Sequence, residues 1–142
     1  MSDPAEPFQG HWIFDPAQST LSTDLPASWT QEIDIQGDDV SLREVVRRPD
    51  GEETVHCVQA RFDGADYAVE GSPLLHTIAY TRVAPHIIAG TGKRDGSTIL
   101  AESAVVDEET GTMWLQYEVR FDNHVVASGR AAFVRKLQEP AP

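Results

Sequence analysis

The sequence predicts an all-β domain, a closed antiparallel up-and-down β-barrel of about eight to ten strands. Three observations carry that expectation. Turn signals recur along the chain, separated by segments of about eight to eleven residues. The segments alternate apolar and polar side chains with period two. No segment has a helical period.

The elements follow in order. A first strand is expected over 10–15, where "GHWIFD" runs apolar up to Asp15-Pro16. The next stretch, "PAQSTLSTDLPAS", holds two prolines and many small polar residues. It reads as a loop with at most one helical turn. A second strand over 28–36 places Trp29, Gln31, Ile33 and Ile35 opposite Thr30, Glu32 and Asp34. Gly37-Asp38-Asp39 turns the chain into 40–48, and Pro49-Asp50-Gly51 into 52–62. Asp63-Gly64 leads to 66–70, Gly71-Ser72-Pro73 to 76–83, and Ala84-Pro85 to 86–94. Asp95-Gly96 opens 97–106, "DEETG" at 107–111 opens 112–122, and Asp122-Asn123-His124 opens 125–136. Asp-Gly before strand residues is a hairpin signal, because glycine tolerates the positive φ of tight reversals. "TMWLQYEVRF" sets Met113, Leu115, Tyr117, Val119 and Phe121 on one face. Consecutive hairpins make a meander, and closing it removes exposed edges. A sandwich is the alternative, but it needs longer crossovers than any connection here except 15–28.

Length and composition bound the rest. At 142 residues the chain is one domain, expected over 8–137 between disordered tails at 1–7 and 138–142. The 11 basic and 23 acidic residues give a formal charge of −12. Phosphate backbones and anionic lipid surfaces repel such a chain, so nucleic acid and membrane are not expected partners. Cys57 is the single cysteine, which excludes an internal disulfide. The opening "MSDPAEPFQG" has neither a basic nor an apolar signal region, and no apolar run approaches a membrane span. The expected location is cytoplasmic, and a homodimer stays open.

"GTGKRDGS" invites a phosphate-loop reading, but the glycine spacing is wrong and strand residues follow where a helix is required. His11, His56, His76, His86 and His124 are scattered, with no paired ligand spacing, so no metal site and no cofactor are expected.

Trp12 on a first strand that must pair with the last is suited to plugging a barrel base, because it covers a large area. Gly10 lets the backbone pass close beside it. An arginine from the last strand, Arg135 or Arg130, is placed to lie on the indole. With "GHWIFDPAQST", "RFDGADYAVEGSP" and "HTIAYTRV", the chain resembles the calycin superfamily, which includes lipocalins, fatty-acid-binding proteins and avidins. A closer resemblance is to uncharacterised bacterial single-barrel, lipocalin-like proteins. The similarity spans Phe8 to Lys136. It implies a barrel whose base is closed by Trp12 and a basic residue, Arg135, and whose interior takes one small molecule.

The alternation proposes a lining for that interior. Gln31 and Glu44 interrupt apolar faces, Glu102 shares a face with Leu100 and Ala104, and His56 shares one with Val58, Ala60 and Phe62. His76 is in phase with Ile78 and Tyr80. Ala127, Gly129 and Ala131 leave volume on the last strand. The expected ligand-binding residues are Gln31, His56, Tyr80, Tyr117, Leu115, Met113 and Trp29. Glu44, Glu102 and His76 are the candidate acid and base groups. Desolvation raises a buried carboxyl towards neutral pH; pairing of Glu44 with an arginine at the mouth is the alternative. Two functions follow. One is binding of a small hydrophobic or amphipathic molecule. The other is a small enzyme, a cyclase or isomerase, that uses the same cavity.

Overall fold

A computed structural model describes residues 6–136. Ten strands run in chain order: β1 (Gly10–Leu21), β2 (Ser28–Gln36), β3 (Asp39–Arg47), β4 (Glu53–Arg61), β5 (Tyr67–Glu70), β6 (Thr77–Ala84), β7 (Ile87–Arg94), β8 (Ser97–Asp107), β9 (Thr112–Phe121) and β10 (His124–Arg135). Each pairs antiparallel with its neighbour in sequence. β1 then pairs with β10, so the sheet closes into a barrel with no free edge. Two reversals are two-residue hairpins with positive φ at both central positions. These are Asp95-Gly96 at 50° and 78°, and Asp122-Asn123 at 50° and 64°. That twist matches the strands it joins.

The expected tails fall mostly on 1–5 and 137–142, outside the described residues. Glu6 and Pro7 belong to the folded body. The expected loop after Asp15 is corrected: β1 continues through Pro16 to Leu21, and the connection shortens to 22–27. Proline lacks a ladder donor, so it sits where the register shifts between Asp15 and Thr20. Side chains repair the break. Asp15 Oδ1 accepts from Ala17 N at 3.0 Å, and the Ser19 hydroxyl accepts from Ala132 N at 2.8 Å in place of a carbonyl.

One end of the barrel is packed solid. Trp12 is wholly buried, and its Nε1 donates to the Phe8 carbonyl at 2.9 Å. Arg135 is its register partner across the β1–β10 seam and lays its guanidinium 4.6 Å from the indole centroid. Arg130 stacks instead on the outward Trp114, at 3.7 Å. Gly10 holds φ at 136°, a conformation that glycine adopts freely, where the entering chain bends beneath Arg135. Phe8 is 1% exposed and stoppers the floor. Arg82 lies 5.8 Å from the Phe8 ring and 5.3 Å from the Phe62 ring, and it pairs with Glu6 at 2.6 Å. Above the floor, Phe14, Phe133 and Trp29 form an aromatic column, with centroids 4.9 to 5.9 Å apart. At about 25 cal/mol per Å², each ring buried there is worth roughly 4 kcal/mol.

Candidate functional site

The other half of the barrel is hollow. A cavity of about 310 Å³ runs from the aromatic column to the loops at 48–52 and 71–76. It has room for on the order of ten waters. A smaller chamber of about 60 Å³ lies beneath it, down to Phe8 and Met113.

Strand register builds the polar part of this cavity in two rows. In the first, Gln31 on β2 faces Glu44 on β3, and Glu44 faces His56 on β4. Cross-strand partners on one face bring their side chains into contact. His56 Nε2 donates to Glu44 Oε1 at 2.5 Å. Trp29 Nε1 donates to Oε2 at 2.9 Å, and Gln31 Nε2 donates to the same oxygen. In the second row, Tyr80 on β6 faces Gly90 on β7, Gly90 faces Glu102 on β8, and Glu102 faces Tyr117 on β9. Gly90 makes this row possible. A Cβ there would stand 3.0 Å from Glu102 Cγ and Oε1, and 3.3 Å from the Tyr80 ring. The glutamate therefore lies across the bare backbone of its neighbour.

The two carboxyls have different environments. Burial pushes Glu44 up, but the hydrogen bond from His56, the imidazole's charge, and the Trp29 and Gln31 bonds outweigh it. The carboxyl ends below its usual range. Burial pushes His56 down, and the Glu44 hydrogen bond and charge, with help from Glu102, carry it above its usual value. His56 Nδ1 is buried with no hydrogen-bond partner. Among the described residues, no cation pairs with Glu102. Burial first, then the negative charge of Glu44, push it up to about 7, with His56 opposing. Burial also raises Tyr80, with the charges of Glu102 and Glu44 adding to it, and burial raises Tyr117.

Chemically, Glu44 is well partnered. Its oxygens already accept three donors, and its hydrogen bond and charge raise His56. Glu102 is the carboxyl free to give or take a proton inside the cavity. Among the described residues no three His, Cys, Asp or Glu side chains are grouped as a metal ion requires.

Of the residues singled out from sequence, Trp29, Gln31, Glu44, His56, Tyr80, Glu102, Leu115 and Tyr117 line the cavity. Met113 faces the lower chamber and is 1% exposed. His76 does not join them. Its imidazole is half exposed at the rim, where Nδ1 accepts from Asp95 N at 3.1 Å. The expected alternation does not extend ahead of β6: in the loop before it, Leu75 takes the inward place against Gly92. Glu44 meets His56 rather than an arginine. Two features were not singled out from the sequence. Arg48 is the one arginine or lysine among the lining residues, at the rim, and Leu74 and Leu75 fold in from the 71–76 loop. Arg48 ends the expected 40–48 strand in phase with Glu44, a signal that could have found it, whereas Leu74 and Leu75 lie in a loop, where periodicity says nothing about direction.

Among the described residues no helix is long and apolar enough to cross a membrane. A scan against protein-family models finds none that matches, and no curated protein matches the chain.

Proposed function

We propose that this chain is a calycin-type binding barrel that takes one small, mainly apolar molecule with a polar group into its upper cavity. The observation that supports this reading best is the cavity's make-up. It has the volume of a small-molecule site, its walls are mainly apolar, and few polar groups converge inside it. The floor is already plugged by Phe8 and Trp12, so the hollow half is room that packing did not need to leave open.

The test is thermal melting with a panel of lipids, terpenoids and polyketide-like compounds. A ligand at 100 times its Kd adds about 2.7 kcal/mol of stability. The expected result is a stabilising member that Leu115→Trp, a cavity-filling change, no longer accepts. No stabilising member in this panel or among simple alkyl amines, alcohols and acids would overturn the reading.

One feature of the site favours a second reading. Glu102 lies inside the cavity with no cation paired to it among the described residues, and burial pushes it up to about 7, which suits proton transfer at neutral pH. A cyclase or isomerase would use Glu102 as acid or base, with Tyr80 and Tyr117 beside the substrate oxygen. Turnover of a bound compound, abolished in Glu102→Gln while binding persists, distinguishes this reading from simple binding.

A further inference from the structure

Glu102 is a largely buried carboxyl, and among the described residues no cation pairs with it. Buried charges in proteins are paired, and an unpaired one either loses its charge or waits for a partner. Glu44, in the same cavity, has His56 and two further donors. The groups facing Glu102 are known from every side. β7 offers only Gly90. β6 and β9 offer the rings of Tyr80 and Tyr117, β2 offers Gln31, β3 offers Glu44 and β4 offers His56. Arg48 stands at the rim, and Glu118 and Arg130 border an outer groove that also reaches Glu102. Neither arginine, nor His56, forms an ion pair with it.

What surrounds this carboxyl suits a cation. Tyr80 and Tyr117 flank it, and the Trp29 ring lies 6.3 Å from that of Tyr117. Aromatic faces attract ammonium groups, most strongly when desolvated. The chain carries a formal charge of −12, a field that draws cations in and turns anions away. A fatty carboxylate would meet Glu44 and Glu102 at the bottom of the cavity. The apolar wall of Val58, Leu75, Ile78 and Leu100 accommodates a hydrocarbon body.

We propose that the cavity recognises a cationic amphiphile, an alkyl- or arylamine whose ammonium group pairs with Glu102 between Tyr80 and Tyr117. This rests on the binding reading above and narrows it to one ligand class.

Octylamine, octanol and octanoate share one apolar chain and differ in the head. Their affinities are measured by calorimetry at pH 8 and pH 5.5 in low salt, for the native chain and for Glu102→Gln. Octylamine stays protonated throughout that range. At pH 8 it is expected to bind at least tenfold tighter than the other two. At pH 5.5 Glu102 takes up its proton and His56 is charged, so octylamine weakens by on the order of tenfold or more. Glu102→Gln brings amine and alcohol to within about threefold of each other, with little pH dependence. Should the variant not fold, the comparison of heads on the native chain decides alone. Octanol or octanoate binding as tightly as octylamine at pH 8 overturns the amine proposal and leaves the binding reading standing. So does silence from all three compounds while the terpenoid and lipid panel stabilises the protein. Silence from every compound in both sets overturns both.

Discussion

Glu44 and Glu102 occupy one cavity and respond to pH in opposite senses. Glu44 is held below its usual range by His56, Trp29 and Gln31, so its contribution is present above the ordinary carboxyl pKa and is lost on acidification. His56 is held above its usual value, so its contribution is present below about 6.5 and is lost as pH rises through the folded value. The pair is therefore at full strength in mildly acidic solution. Glu102 is raised from 4.5 to about 7, so the folded chain holds a proton that the unfolded chain has released. Stability falls as pH rises between those values, by on the order of 3 kcal/mol at most. Glu102→Gln removes that penalty. The variant is expected to melt several degrees above the native chain at pH 8, with the gap closing by pH 5. A gap that is the same at both pH values would show that the carboxyl is not buried as described.

The thinnest element in the barrel is β5. It has four residues and two register pairs on each side, Cys57–Glu70 and Val58–Val69 towards β4, Tyr67–Ile78 and Ala68–Thr77 towards β6. Its neighbours carry eight or nine residues. The loop that follows it, 71–76, supplies Leu74 and Leu75 to the cavity wall. Few ladder bonds and an attached rim loop make this the weakest part of the closed sheet. Amide hydrogen exchange is expected to be fastest, among the ten strands, at β5, and a bound ligand is expected to slow it there and at 74–75. Uniform protection around the barrel would place the entrance elsewhere. β1 illustrates the opposite case. A proline inside a strand survives because Asp15 and Ser19 replace the lost ladder partners, so the seam with β10 resumes at Thr20.

At the scale of the molecule, one end of the barrel is packed and the other is open, and the charge is heavily negative. Glu6, Phe8, Trp12, Arg82 and Arg135 lock the floor through stacking and ion pairs. A formal charge of −12 works against compaction by self-repulsion, an effect that salt screens over about 10 Å at 0.1 M. Raising sodium chloride from about 10 mM to about 300 mM is expected to raise the melting temperature at pH 8. A fall would mean that attractive pairs such as Arg82–Glu6 outweigh the net repulsion.

The sequence by itself determined an antiparallel meander of about eight to ten strands, expected to close with Trp12 at its base, and it set Glu44, His56 and Glu102 in phase with apolar residues. A period-two pattern states which face a residue is on, and the turn signals state where each strand reverses. Both are local quantities, so they survive without a tertiary structure. Only the tertiary structure decided which inward groups meet. Glu44 lies opposite His56 because hairpin register sets them side by side, and Glu102 lies free because β7 offers it a glycine. His76 turned outward and β1 ran on past Pro16 because long-range neighbours, Leu75 against Gly92 and Ser19 against Ala132, outcompeted local preference. Which carboxyl is paired and which is left unpaired depends on distances across the barrel, and pattern along the chain does not carry them.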